Sequence, residues 1–402
     1  MKTQVFSGTS KGAAEIIKSG GLVAVPTETV YGLAGSGLNE QAVGMIYEVK
    51  GRPAVKPLSL MVHGSEAMDA LCLDVPGQAR TLAARFWPGP LTIVLKAKPE
   101  IPSIVLAGGS TVGLRCPDHP LTLELLRDCG LPLAAPSANP SDEESPKDAG
   151  KVLEYFDGKI NAVIDGGRCG LGRESTIIDL SKSPYRILRQ GALPAEDIAD
   201  ALVGGMKVIG ITGGTGCGKT TALQELKAMG ALVLDCDAIY HELLESSAEL
   251  LGEIENRFPD TVQDGKLNRK ALGAVVFADS AALSDLNAIT HKYVGLELQR
   301  RLREFAMTGG TLAAIDAIEL FSSGINGRCF KTVAVLSDKE NRVKRIMARD
   351  GITREYALLR IAAQHDDGYY AERCDYTLYN NADMDSFRND CRQLFKEMFS
   401  NG

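Results

Sequence analysis

Short apolar runs punctuate both halves of this chain, and their spacing predicts alternating strands and helices. In the first half, Gly21-Leu22-Val23-Ala24-Val25 ends at Pro26, and Leu91–Leu95, Thr111–Leu114, Leu133–Ala135, Ala162–Ile164 and Thr176–Ile178 follow; all read as strands. Gln41–Val49 carries apolar residues at helical spacing, whereas Ser141–Asp148 is polar and reads as a loop. Leu193–Gly205 reads as a short helix and a Gly-Gly hinge, a linker. Beyond it the runs Lys207–Thr212, Leu232–Leu234, Leu312–Ile315 and Thr332–Leu336 predict strands separated by helices, the pattern of a helix-covered parallel sheet. The longest helical run, Arg342–Gln364, is interrupted near Gly351.

At 402 residues the chain suits two domains, expected over 1–192 and 206–402 with 193–205 between them. Hydrophobic residues at 45% and charged residues at 24% are those of an ordinary globular protein. No apolar stretch approaches the roughly 20 residues of a membrane span, and Met1-Lys2-Thr3-Gln4 lacks the core of a signal peptide, so a cytoplasmic location without membrane contact is expected. Nine cysteines without a C-x-x-C pair and five scattered histidines suggest structural thiols in a reducing compartment and neither a zinc site nor a disulfide framework. The net charge is −7, divided −3 and −4 between residues 1–205 and 206–402, which argues against direct DNA binding by bulk charge.

Directly after the apolar run Val208–Ile211 comes Gly213-Gly214-Thr215-Gly216-Cys217-Gly218-Lys219-Thr220, and directly after that the helix-prone Ala222–Leu226. Glycines let backbone N–H groups converge on phosphate oxygens, and the helix start adds its dipole. In such a loop Lys219 reaches the β- and γ-phosphates and the Thr220 hydroxyl is placed for Mg²⁺. The next strand ends in Leu234-Asp235-Cys236-Asp237; on an extended strand the two carboxylates share a face, one as general base and the other holding Mg²⁺-bound water. A solvated strand end is the plainer reading of the same pair. A base implies a hydroxyl acceptor, hence a small-molecule kinase using ATP and Mg²⁺ with no organic cofactor.

These residues resemble those of dephospho-coenzyme A kinases. The likeness continues through Asn268–Gly273, Phe277, Leu286–His291, Lys344–Thr353, Arg360, Gln364 and Asn380-Asn381. It implies a P-loop kinase with a parallel sheet, helices on both faces and a helical lid. By that resemblance Gly213–Thr221 would cradle ATP, Asn380 would lie beside the adenine, and Asp237 would deprotonate the ribose 3′-hydroxyl of dephospho-coenzyme A. Arg349 and Arg360 would be lid residues stabilising the transferring charge, and His291 would belong to the acceptor region. Ile318-Glu319-Leu320-Phe321-Ser322 departs from the family's usual Pro-Leu-Leu-Phe-Glu run, which puts the acceptor pocket's detail in question.

The first half has no phosphate loop. It has polar clusters beside its strands: Pro26–Leu33, Lys50-Gly51-Arg52-Pro53 with Lys56-Pro57-Leu58, Ala135–Asn139, Arg173–Thr176 and Arg189–Ala192. Three cations within seven residues, stiffened by two prolines, present positive charge at fixed geometry and suit a triphosphate; a solvated basic loop is the alternative. These segments resemble, in order, the YrdC-like threonylcarbamoyl-adenylate synthases, over about residues 7–192. The resemblance implies a twisted mixed α/β sheet with a positive cleft, and condensation of L-threonine, bicarbonate and ATP into threonylcarbamoyl-AMP, which feeds a tRNA modification through a handover to tRNA-modifying proteins. Lys50, Arg52 and Lys56 would bind the triphosphate; Thr111, Ser137, Asn139, Ser145 and Arg189 the nucleotide; Thr27, His63, Arg115 and Ser175 the threonine, with Arg115 pairing its carboxylate. Asp142 stands where the family often has glycine. Longer members carry a further C-terminal domain, whose place the kinase half takes here. The competing readings are a non-catalytic RNA-binding module for the first half and a kinase of some other small molecule, such as a nucleoside, for the second.

Overall fold

The computed structural model describes residues 2–400. It divides into two compact units, Met1–Gly205 with Met307–Gly309, and Met206–Ala306 with Gly310–Gly402. Segment 193–205 folds with the first unit: Ala195–Gly204 is a helix that buries Ile198, Ala199 and Leu202.

The first unit is built on a mixed sheet of eleven strands among the described residues. Its order is Gln4–Ser7, Ala162–Asp165, Val23–Val25, Gly32–Ser36, Leu133–Ala134, Ser59–Met61, Thr111–Arg115, Leu91–Ala97, Thr176–Asp179 and Arg186–Arg189, with Cys72–Leu73 paired to Leu91–Ala97. Each apolar run read from the sequence lies on a strand. Val23, Val25, Ala162 and Ile164 pack with Ile17, Leu125 and Leu126 of two helices into one core. The Glu40–Lys50 helix is capped at its start by the Asn39 side chain and at its end by Gly51 in the left-handed region. Asp142, with φ of 70°, adopts the left-handed conformation that a glycine favours and aspartate tolerates.

The second unit carries a five-stranded, all-parallel sheet in the order Leu232–Asp235, Leu312–Asp316, Lys207–Thr212, Lys331–Leu336, Tyr376–Tyr379. Alternate residues of Lys331–Leu336 meet helices on opposite faces. Val333 and Val335 pack with Leu223, Leu226, Phe387 and Phe395, while Ala334 and Leu336 pack with Tyr370. The interrupted helical run resolves into Lys339–Asp350 and Arg354–Ala362, with Gly351 at φ 65° closing the first and the Thr353 side chain capping the second. Among the described residues no helix is long and apolar enough to cross a membrane.

Candidate active sites

In the second unit the first strand runs straight into the glycine loop. Gly213 has φ of 134°, and a Cβ there would strike the Val335 carbonyl; at Gly218, φ 105°, it would strike the Asn380 amide. Only glycine lets the loop turn that closely over the sheet. The loop borders a cavity of about 450 Å³ lined by Gly214, Thr215, Gly216, Gly218, Lys219, Thr220, Asp235, Asp237, Asp316, Ile318, Arg345, Ile346 and Arg349. Lys219 Nζ donates to the Gly213 carbonyl at 3.0 Å and lies 3.8 Å from Asp316 Oδ1. Three loop residues do not face the cavity. Cys217 and Thr221 are buried beneath it, and Gly213 directly follows the strand Lys207–Thr212.

Asp235 and Asp237 share the cavity by a route the strand periodicity did not anticipate. The strand stops at Asp235, and Cys236–Ser246 is a helix whose first turn carries Asp237. Asp235 is its N-cap, accepting from the backbone N–H groups of Asp237 and Ala238 at 2.9 and 3.0 Å. A third carboxylate, Asp316, ends the neighbouring strand in register with Asp235. Burial pushes it up to about 6, against the pull of Lys219 and with the push of Asp235 and Asp237. Its buried Oδ1 has no hydrogen-bond partner among the described residues. Mg²⁺ takes one or two protein ligands and completes its shell with water and phosphate oxygens. The Thr220 hydroxyl and this carboxylate oxygen, which accepts no hydrogen bond among the described residues and has Lys219 Nζ at 3.8 Å, lie on the same cavity and fit that demand.

The helix Lys339–Asp350 supplies Arg342, Arg345 and Arg349, spaced to lie on one face. Arg342 is buried and donates to the Thr215 carbonyl at 3.0 Å. Arg345 donates to the Gly216 carbonyl at 3.3 Å, the Ser337 hydroxyl at 3.0 Å and the Asn380 side-chain oxygen at 3.1 Å. Arg349 instead makes a two-pronged pair with its neighbour Asp350, at 2.7 and 3.0 Å, and Arg360 donates to the same carboxylate at 2.6 Å. Asn380 is buried behind the loop, its amide donating to the Cys217 carbonyl at 2.8 Å. Gln364 brackets Thr215, accepting from its N–H and donating to its hydroxyl, both at 2.8 Å. His291 is half-buried, and burial pushes its imidazole toward the neutral form against the pull of Glu319.

The first unit's cleft is assembled differently. A cavity of about 290 Å³ gathers Arg52, Thr111, Arg115, Ser137, Ser175 and Arg189 from separate segments, with Tyr31, Ser59, Met61, Thr92, Glu174 and Leu188 beside them. Arg52 is folded back on its own loop, donating to the carbonyls of Lys56 and Pro57 at 3.2 and 3.0 Å. Burial lowers the proton affinity of Arg52 and Arg189 alike. Arg115 is buried: Nη2 donates to Glu28 Oε1 at 2.8 Å and Thr29 Oγ1 at 2.7 Å, and Nε to the Gly89 carbonyl at 3.4 Å. Its Nη1 edge is left without a partner among the described residues. The Ser175 hydroxyl is 2.9 Å from that of Thr92.

Other residues named from the sequence do not line this cavity. Lys50 is buried, its Nζ donating to the carbonyls of Ser137 and Asn139, and burial pushes its ammonium down to about 8. It thus fixes the Ala135–Asn139 loop from behind. Asn139 is buried and its amide donates to the Pro140 and Glu143 carbonyls; the Ser145 hydroxyl donates to Glu174 at 3.0 Å. Thr27 is buried against Thr29 and the Val30 carbonyl, the Lys56 side chain is exposed, and His63 lies in a separate groove where it accepts from Arg127 at 3.2 Å. Glu174 and Asp316 are cavity carboxylates to which the sequence reading assigned no role. Arg345 was within reach of it, since helical spacing from Arg349 places both on one face.

A family model described as telomere recombination, Sua5/YciO/YrdC, matches residues 15–191, and one described as dephospho-CoA kinase matches residues 207–386. The threonylcarbamoyl-AMP synthase of Pyrococcus abyssi is 46% identical over 196 residues, covering 49% of this chain and 57% of its own length. A putative threonylcarbamoyl-AMP synthase of Mycobacterium tuberculosis is 35% identical, covering 47% of this chain and 87% of its own. The dephospho-CoA kinase of Geobacter sulfurreducens is 33% identical, covering 48% of this chain and 100% of its own. The chain spans little more than half the length of the Pyrococcus and Bacillus subtilis synthases that it matches. Its first half belongs to the Sua5/YrdC family and its second half to the dephospho-CoA kinase family.

Proposed function

We propose that the chain is bifunctional: its first half condenses L-threonine, bicarbonate and ATP into threonylcarbamoyl-AMP and pyrophosphate, and its second half phosphorylates the ribose 3′-hydroxyl of dephospho-coenzyme A. The observation that carries this reading is the pair of cavities of unlike construction, each within one unit and each lined by the groups its chemistry requires.

In the synthase reaction the threonine amine and bicarbonate combine into a carbamate with loss of water, a carbamate oxygen attacks the α-phosphorus of ATP, and the α-phosphorus bond to the bridging oxygen breaks to release pyrophosphate. Positioning and charge neutralisation supply such a reaction's acceleration. The open Nη1 edge of Arg115 is available to the threonine carboxylate, and Ser175 and Thr92 offer hydroxyls nearby. Arg52 and Arg189, partly desolvated on the cleft wall, neutralise the departing pyrophosphate, and the exposed Lys56 on the Arg52 loop adds its charge. Lys50 acts through the loop it holds. A handover of the product to tRNA-modifying proteins completes this reading.

In the kinase reaction Asp237 accepts the proton of the acceptor hydroxyl, whose oxygen attacks the γ-phosphorus as its bond to the β–γ bridging oxygen breaks and ADP leaves. The loop N–H groups and Lys219 hold the phosphates, while Arg349 leaves Asp350 to meet the charge on the transferring group. Mg²⁺, held by Thr220 with Asp316 or with water on Asp235, would neutralise phosphate charge there.

A substrate panel on the intact chain tests both halves. Pyrophosphate release from ATP should require threonine and bicarbonate together, and phosphoryl transfer should occur to dephospho-coenzyme A and not to nucleosides. Pyrophosphate release without threonine, or a nucleoside as the better acceptor, contradicts the corresponding half.

A further inference from the structure

Among the residues lining the cationic cleft there is one carboxylate, that of Glu174. Its Oε1 accepts from the Ser145 hydroxyl at 3.0 Å, and its Oε2 accepts from Arg189 Nη1. The remaining bonds of Arg189 also turn inward: Nε and Nη2 donate to the Ser175 carbonyl at 3.1 and 2.9 Å, and Nη2 to the Ser175 hydroxyl at 3.2 Å. With Nε and Nη2 committed to Ser175 and Nη1 to Glu174, Arg189 has a single N–H left for a phosphate until Glu174 releases it. The backbone of Glu174 is pinned, because its carbonyl accepts from the Ala192 N–H at 2.8 Å and Gly191 lies against it so closely that a Cβ would collide with that carbonyl. Release therefore requires rotation of the Glu174 side chain and not movement of its loop. The side chain is 36% exposed and Arg189 41%, so there is room for that rotation. Arg52 also faces the same cavity, and the Glu174 charge acts on it as it does on Arg189.

We propose that Glu174 is an internal stand-in for phosphate: it holds Arg189 and Ser145 in the empty cleft, yields them to the triphosphate, and takes them back as pyrophosphate departs. The proposal rests on the triphosphate reading of this cleft. A carboxylate competing for the same guanidinium weakens every phosphate ligand and speeds the departure of the product, so its removal has a sign opposite to that of ordinary damage to a binding site. A partly exposed ion pair is worth up to about 1 kcal/mol, or roughly fivefold in affinity.

The test follows conversion of carbon-labelled threonine into its adenylate by the full-length chain, with pyrophosphate added as inhibitor. In Glu174→Gln the inhibition constant for pyrophosphate should fall about fivefold and the KM for ATP should fall with it, while the KM for threonine stays within about twofold of wild type. Glu174→Ala, which removes the charge without offering a new amide, should shift both constants in the same direction. If Glu174 were only a prop that orients Arg189, both constants would rise. Unchanged or raised constants in the two variants overturn the proposal while the synthase reading stands. A wild-type chain that forms no labelled product overturns that reading, and the proposal with it.

Discussion

In the proposed function the two cavities meet phosphate with opposite materials. In the second half the binding elements are backbone N–H groups and one lysine on eight consecutive residues, Gly213–Thr220, held between a strand and a helix. In the first half they are side chains, the guanidinium groups of Arg52 and Arg189 and several hydroxyls, delivered by segments far apart in the chain. A backbone cradle depends on main-chain shape, so it needs glycine at fixed positions and leaves a compact mark in the sequence. A side-chain cleft depends on the whole sheet being folded, and each contributor taken alone looks like an ordinary loop residue. The cradle is local and the cleft is global.

That contrast can be broken most sharply at Lys219. Lys219→Ala should reduce dephospho-coenzyme A phosphorylation by about a thousandfold or more, because it removes the fixed charge on the transferring phosphate. Synthase turnover measured on the same preparation should be unchanged. Arg115→Ala should do the reverse, lowering threonine-dependent adenylate formation about a hundredfold, since it takes away a buried charge and leaves Glu28 unpaired. Kinase turnover on that preparation should hold. A loss of both activities from either change contradicts separate sites.

Gly213→Ala tests the cradle's dependence on backbone shape. The added methyl would collide with the Val335 carbonyl at a φ that L-residues avoid, costing about 1–3 kcal/mol. Denaturant unfolding should show the kinase transition moved to lower concentration and the synthase transition unmoved. The smallest effect expected concerns pH. Burial brings the Lys50 ammonium down to about 8, so its positive charge is present below that pH and is lost as pH rises through it. Neutral Lys50 can still donate to the two carbonyls it holds. The KM for ATP in the synthase assay should therefore rise by a few-fold as pH passes upward through about 8, and a flat profile between pH 7 and 9 contradicts a role for that charge.

Much of the fold is legible in the sequence, and the exceptions have physical reasons. Four of the five strands of the kinase sheet announce themselves as apolar runs, the three inner ones and the edge Leu232–Asp235; the other edge, Tyr376–Tyr379, is equally exposed but reads Tyr-Thr-Leu-Tyr and has no aliphatic run. Gln4–Ser7 and Arg186–Arg189 are edges of the larger sheet and largely exposed, so hydrophobic pattern does not mark them. Gly32–Ser36 is fully buried but is made mostly of small residues, Gly-Leu-Ala-Gly-Ser, which form no apolar run. Asp235 and Asp237 came together by a helix start and not by strand alternation. For the site, the phosphate loop was readable because its geometry is written in consecutive residues. Lys50 and Asn139 could not be separated from Arg52 and Ser137 by sequence, because which of them faces the cleft and which supports it depends on side-chain burial. Glu174 was assigned no role for a related reason: a carboxylate in a cleft for anions makes sense only once its partners Ser145 and Arg189 are placed around it.

The central claim is that two independent nucleotide sites share one polypeptide, and nucleotide stoichiometry tests it most directly. With a non-hydrolysable ATP analogue at saturation and with threonine, bicarbonate, dephospho-coenzyme A and Mg²⁺ all present, equilibrium dialysis should find two nucleotides per chain, falling to one in Lys219→Ala. One nucleotide per wild-type chain under those conditions would contradict the account.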